Sequence, residues 1–350
     1  MNHSSPVRIL LIADTHLGFD LPFRPRVQRR RRGTDFFDNY ERALQPAFDR
    51  DVDLVIHGGD VFFRSKVPMT LVEMAMKPLI RVAEGGVPVY IVPGNHERSR
   101  IPLHLWTAHP KLHIFDRPKT FLCAVGNTSI ALSGFPYARR IRDTFHDLIE
   151  QTGVREITAD AHFLCVHQVV EGAQVGTINY TFRAGQDIIR GRDIPRGFVA
   201  VLAGHIHRGQ ILTQDLNHLP LAAPVIYPGS IERTSFAERH EEKGYVILQL
   251  GRAACPEARL TEISFVSLPT RPMVVITLEV ERLSAGDVEG WLRERFSELD
   301  PNSVVQIKPL GSVSENTLQV LSAPNLRSIA PTSMNVSLAF ASRQREGSKM

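Results

Sequence analysis

Short runs of β-branched and aliphatic residues recur along the chain, separated by stretches with helical spacing. The runs occupy residues 7–13, 52–57, 87–92, 129–133, 162–166, 198–203, 225–227 and 244–250, and their length and composition predict strands. Between them Phe36, Phe37, Tyr40, Leu44 and Phe48 keep the spacing of one helix face, as does the stretch 69–82. Strands and helices alternating over short connections predict an α/β sandwich. Beyond the Pro-containing segment 267–272 the pattern changes to a strand over 273–280, a helix over 285–299 and a strand over 304–307, which predicts a small separate module. From Ser312 onward Ser, Ala, Pro and Asn dominate with weak periodicity, which predicts a loose tail. The expected domains are therefore 1–270, 271–310 and a flexible 311–350. The apolar stretch 336–341 in the tail suits either a last strand against the module or a docking segment, and the former is favoured.

Polar motifs follow these strands directly. Asp14 comes after the first, Asp60 after the second and Asn95 after the third, while His167 and His205 follow two later ones. Ligands of α/β sheets bind at the carboxyl ends of strands, so residues far apart in sequence converge there on one crevice. The groups are Asp14-Thr15-His16, Gly58-Gly59-Asp60, Gly94-Asn95-His96-Glu97, His167 and Gly204-His205-Ile206-His207. Carboxylates, an amide and imidazoles of this kind suit two divalent cations, one carboxylate serving both. Asp14 and His16 are two apart, as are His205 and His207, so in an extended segment each pair points one way. Glycines 58, 59, 94 and 204 let the backbone approach the ions closely. Two dications outweigh Asp14 and Asp60, so the site stays net positive and attracts a phosphodiester anion. His96 faces the same crevice, placed to stabilise the phosphate or protonate the leaving oxygen. His57, His104, His109 and His113 fit no strand end and read as ordinary core or surface histidines.

Composition narrows the class. In 350 residues, 43% hydrophobic and 22% charged side chains suffice for a sizeable core and a soluble surface. No apolar run approaches the roughly 20 residues of a membrane helix. Three cysteines without a C-x-x-C pair fit a reducing compartment, and the expected location is cytoplasmic. The formal charge of +4 is mild, but Arg24, Arg26 and Arg29, Arg30, Arg31 and Arg32 concentrate it after the first motif. That segment reads as a phosphate-backbone contact or as a solvated basic loop.

The ordered motifs resemble the calcineurin-like metallophosphoesterase superfamily, and within it the SbcD-type DNA repair exonucleases. The features that carry this are Asp14-Thr15-His16-Leu17-Gly18 and Tyr227-Pro228-Gly229-Ser230-Ile231-Glu232-Arg233. The resemblance implies a two-sheet β-sandwich flanked by helices, with a small C-terminal α+β capping module. It implies one metal on Asp14, His16, Asp60 and His207, a second on Asp60, Asn95, His167 and His205, and manganese as the usual ion. The expected partners are DNA, an SMC-like ATPase of SbcC type and a second copy of the chain, with no membrane. The chain departs from the family at Phe63, where a histidine is frequent, and in its short C-terminal region. A phosphodiesterase acting on small substrates such as cyclic nucleotides is the competing reading.

Overall fold

The computed structural model describes residues 6–20, 30–97, 109–252, 258–281 and 283–339. By contacts the chain divides into two units, one of Met1–Phe19 with Asp35–Pro269 and one of Asp20–Thr34 with Thr270–Met350.

In the first unit the strands that build the sheets are β1 (Val7–Ile12), β2 (Leu54–His57), β3 (Val89–Ile91), β4 (Leu112–Ile114), β5 (Lys119–Val125), β6 (Thr128–Gly134), β7 (Ala161–His167), β8 (Ala200–Gly204), β9 (Gln210–Gln214), β10 (Pro220–Tyr227), β11 (Gly244–Arg252) and β12 (Ala258–Ser267). Among the described residues they form two six-stranded sheets, in the orders β12-β11-β1-β2-β3-β4 and β9-β10-β8-β7-β6-β5. Strands β1 to β4 run parallel, as do β6, β7, β8 and β10, so their carboxyl ends collect on one edge of each sheet.

Alternation along β1 explains the layers. Val7, Ile9 and Leu11 meet Ile130, Leu132, Phe163, Cys165 and Leu202 between the sheets. Leu10 and Ile12 point the other way, onto Phe36, Tyr40 and Leu44 of α1 (Arg32–Phe48) and Leu79 of α2 (Met69–Glu84). On the far face Leu164, Val166, Val201 and Ala203 cover Phe145 and Ile149 of α3 (Ile141–Gln151). A central strand buried on both faces has no polar side to show, which is why these segments read as continuous apolar runs. Each fully buried Leu or Ile contributes roughly 1.5–3 kcal/mol, so the layers are held mainly by area removed from water. Strands β4, β5, β9 and β12 escape the sequence pattern. β4 has three residues, and β5, β9 and β12 carry half-exposed or exposed positions along their length, so no apolar run marks them.

The second unit is a parallel sheet of β13 (Met273–Glu279), β14 (Val304–Leu310) and β15 (Asn335–Leu338), with α4 (Ala285–Glu298) joining the first two. Ser284 caps α4 with a reciprocal bond to Asp287. The segment expected to be a loose tail is ordered as far as it is described. It forms α5 (Glu315–Val320), α6 (Ala323–Ile329) and β15, and only 340–350 fall outside the described residues. Ser314 and Ser322 accept from the amides of Thr317 and Asn325 as caps, so the serines that suggested looseness start helices instead. Leu326 and Ile329 join Ile276, Val288, Leu292, Phe296, Val305 and Ile307 in one core.

Arg271 ties this unit together. Its buried guanidinium donates to the Asn302 carbonyl at 2.6 Å, to Asn335 Oδ1 at 2.6 Å and to the Ser333 carbonyl at 2.5 Å. A chain cut after Pro309 should therefore lose the cooperative unfolding of this unit, because Ile307 and Val305 lose β15, α5 and α6. Thermal unfolding followed by calorimetry checks this; an unchanged profile would show the segment to be a detachable peptide.

Candidate metal centre

The expected ligands stand on loops that continue the strand pairing past its end. Beyond β1 and β2, Asp14 N donates to the Gly59 carbonyl at 2.9 Å, His16 N to the Asp60 carbonyl at 3.0 Å and Leu17 N to the Val61 carbonyl at 2.8 Å. Within this ladder Asp14, His16 and Asp60 have φ of 51°, 44° and 51°, and His205 has 87°. The extended conformation expected for Asp14 to His16 and for His205 is thus replaced by left-handed backbone. Each such non-glycine residue costs on the order of 1–2 kcal/mol, sustained by the surrounding hydrogen bonds and packing. Glycine is required at 59 and 94, and also at 204, where a Cβ would fall on the Gly58 carbonyl. A Cβ at Gly94 would fall on the Asp60 carboxylate, and one at Gly59, whose φ is 107°, would fall on the His167 ring.

These loops bring all eight residues of the expected site together. His16 Nε2 lies 2.9 Å from His207 Nε2, and His205 Nδ1 lies 3.2 Å from His167 Nε2. His167 Nε2 is also 3.1 Å from Asn95 Oδ1 and 3.4 Å from Asp60 Oδ2, while His16 Nε2 is 4.0 Å from Asp60 Oδ2. The Asp14 carboxylate accepts from the His205 amide at 3.0 Å. Three donor groups result among the described residues, Asp14-His16-His207, His16-Asp60-His96 and Asp60-His167-His205. The donor set fits divalent cations that accept mixed oxygen and imidazole ligands. Two imidazole nitrogens facing each other satisfy one another only if one carries a proton, and a cation satisfies both. Among the described residues His16 Nδ1 is buried without a hydrogen-bond partner.

Charge is distributed unevenly. Burial alone would raise Asp60, but the imidazoles of His167, His16 and His96 outweigh it and hold the carboxyl well below the usual range. Burial dominates at Asp14 and raises it to about 6. His167 resists its own burial, and the carboxylates of Asp60 and Asp14 push it up to about 9. His205 goes the other way, to about 3, through burial and the neighbouring His167.

A supporting layer holds the expected ligands. Glu97, buried, accepts from the amides of Asp60 at 3.0 Å, Phe62 at 2.9 Å and Gly94 at 2.6 Å, so one carboxylate clamps the second and third ligand loops. Burial and the Asp60 charge raise it to about 7. His57 belongs to the same layer. It accepts from the Gly59 amide at Nδ1, which leaves Nε2–H to donate to Thr15 Oγ1, whose hydroxyl in turn donates to the Val61 carbonyl. Glu238 accepts from His207 Nδ1 at 3.2 Å and from Lys243 Nζ at 2.8 Å, and so orients the His207 ring. Ser230 N and Lys243 Nζ both donate to the His207 carbonyl, which gives the Tyr227 to Arg233 motif its local role. Glu97 is visible in sequence beside Asn95 and His96; nothing near Glu238 marks it in advance.

His96 differs from the others. Its Nδ1–H donates to the Phe63 carbonyl at 2.5 Å, its amide donates to Asp60 Oδ1 at 2.9 Å, and Nε2 is aimed at the cluster 3.8 Å from Asp60 Oδ2. The side chain stays about one-third exposed, whereas those of His16 and His167 are buried. The basic segment lies in the second unit. Arg31 is paired with Asp20 at 2.5 Å, Arg30 donates to Asn302 Oδ1 at 3.3 Å and Arg32 is buried, while Arg24, Arg26 and Arg29 fall outside the described residues. Of the remaining histidines, His104 is outside the described residues and neither His109 nor His113 joins a donor group.

A two-sheet sandwich with imidazoles and carboxylates converging at its parallel strand ends defines a metal-dependent hydrolase of the phosphoesterase type. Residues 7–209 match the Calcineurin-like phosphoesterase family, and the chain belongs to it. It is 24% identical over 286 residues to the DNA double-strand break repair protein Mre11 of Saccharolobus solfataricus, covering 79% of this chain and 68% of that protein. The protein of the same name from Haloferax volcanii is 29% identical over 318 residues, covering 88% and 62% of the two chains. That from Methanosarcina acetivorans is 26% identical over 319 residues, covering 90% and 47%. The chain thus spans between about half and two-thirds of the length of these relatives. Among the described residues no helix is long and apolar enough to cross a membrane.

Two outcomes follow from the geometry. Glu97→Ala should weaken manganese binding about 10–100-fold, since it frees two ligand loops at once; titration calorimetry against wild type checks it. His167 must lose a proton to become a ligand, and in metal-free protein it holds that proton up to about pH 9. Metal affinity should therefore fall as pH drops from 9 to 7, with proton release on binding. Heats measured at pH 7.5 in two buffers of different ionisation enthalpy should differ; identical heats would contradict the protonated His167.

Proposed function

We propose that the chain is a DNA nuclease that hydrolyses phosphodiester bonds with two divalent ions, natively manganese. The observation that carries this is the place of Asp60, whose Oδ2 is within 4.0 Å of His16 on one side and 3.4 Å of His167 on the other. That supports one ion on Asp14, His16, Asp60 and His207 and another on Asp60, Asn95, His167 and His205, with Asp60 common to both. When bound, such ions supply Lewis-acid stabilisation of the phosphoryl oxygens and lower the pKa of the attacking water.

The rest of the chemistry belongs to the side chains. Phe63's carbonyl occupies His96 Nδ1–H, so a protonated ring presents Nε2–H toward the crevice and can hand that proton to the leaving oxygen. Asp60 accepts from the His96 amide, and Glu97 holds the Asp60 and Gly94 amides, so acid and ligands are positioned by one connected network. DNA as substrate is supported by the three archaeal relatives whose names assign them to double-strand break repair. An SMC-like ATPase of SbcC type is the proposed partner, and a reducing cytoplasm the proposed setting, in which Cys123 and Cys165 remain thiols.

Purified protein with manganese should cleave labelled DNA and a small diester such as bis(4-nitrophenyl) phosphate. Cleavage of the small diester alone would leave the small-substrate reading. His96→Ala should keep its bound ions and lose turnover on the order of 100-fold. Loss of ions in that variant, measured by elemental analysis, would make His96 a ligand instead.

A further inference from the structure

The loop after Asp60 forms one wall of a groove that opens directly beside the metal centre. Its lining is Phe63, Arg64, Ser65, Lys66, Asn95 and His96, so a ligand residue and the proposed acid share one concavity with an aromatic ring and two cations. The backbone there is fixed on both sides, because Phe63 N donates to the Leu17 carbonyl at 3.0 Å and the Phe63 carbonyl accepts from His96. The ring is braced by edge contacts to Phe19 and His16, with centroids 4.8 Å and 6.0 Å away. It is nonetheless only half-buried, and the Arg64 guanidinium carbon lies 5.7 Å from its centroid. Arg64 and Lys66 are exposed, and no ion pair among the described residues engages either.

We infer that this groove is a nucleotide subsite in which an unpaired base next to the scissile phosphate stacks on Phe63 while Arg64 and Lys66 hold the flanking phosphates. The inference rests on the nuclease reading and adds a preference to it. A braced aromatic face with adjacent cations is the chemistry that binds single strands, since every base has a π-face and every linkage a charge. A base inside a duplex has both faces covered by its neighbours, so the subsite selects single strands, frayed ends or gaps. In the basic segment, Arg31 is held by Asp20 and Arg32 is buried.

The test uses full-length protein. 2-Aminopurine is placed in turn at each position of a short single-stranded oligonucleotide, and its fluorescence is read on binding to metal-free protein. One position should be quenched by wild type and by Phe63→Trp, and not by Phe63→Leu, which keeps apolar bulk against His16 without a π-face. With manganese, Phe63→Leu should raise KM for the oligonucleotide on the order of tenfold, and the paired change Arg64→Ala with Lys66→Ala should flatten the salt dependence of binding by roughly one to two log units per log of salt. Equal quenching by wild type and Phe63→Leu overturns the inference. So does a loss in Phe63→Leu that is as large on bis(4-nitrophenyl) phosphate as on DNA, because Phe63 would then only pack. Failure of wild-type protein to cut any DNA would instead sink the nuclease reading.

Discussion

The Asp60 carboxylate is an anion removed from water and set among imidazoles, and the architecture around it serves to keep it there. An isolated buried carboxylate would take up a proton, yet His167, His16 and His96 lie close enough to hold it ionised. The same proximity raises His167 in spite of its burial, so in the absence of metal the two side chains form a buried ion pair. A cation bound at Asp60 would replace the proton on His167 and relieve the facing nitrogens of His16 and His207. Metal affinity, proton release and fold stability are therefore linked through one side chain.

Backbone strain follows from the same requirement. Strand ends deliver Asp14, His16, Asp60 and His205 to a common point only if the chain turns sharply, and all four adopt left-handed conformations to do so. The ladder from Asp14 to Leu17 against Gly59 to Val61 and the Glu97 clamp on three amides hold those turns. Strain of this kind persists where its surroundings over-determine it, and two packed sheets with apolar cores on both faces are such surroundings. Gly59 and Gly94 complete the arrangement by leaving room for the His167 ring and the Asp60 carboxylate.

Much of this was legible in the sequence, for a physical reason. Central parallel strands are apolar on both faces, and ligands must follow them, so the order of runs and motifs carries both the sandwich and the positions of Asp14, Asp60, Asn95, His167 and His205. Edge strands such as β5, β9 and β12 show no run because they have solvent on part of their surface. The supporting layer is hard to read because it acts through tertiary contacts. Glu238 reaches His207 from 31 positions away, and His57 looks like any core histidine until its two nitrogens are seen to hold Gly59 and Thr15. The C-terminal segment misleads for the opposite reason, since Ser314 and Ser322 have the composition of a tail and the function of helix caps.

That Asp60 joins two ions in one centre is the claim on which the account turns. Anomalous diffraction from a manganese-soaked crystal measures it directly. The account predicts two anomalous peaks roughly 3.5–4 Å apart, one beside Asp14, His16 and His207 and one beside Asn95, His167 and His205, both within bonding distance of Asp60. A single peak, or none among these side chains, would contradict it.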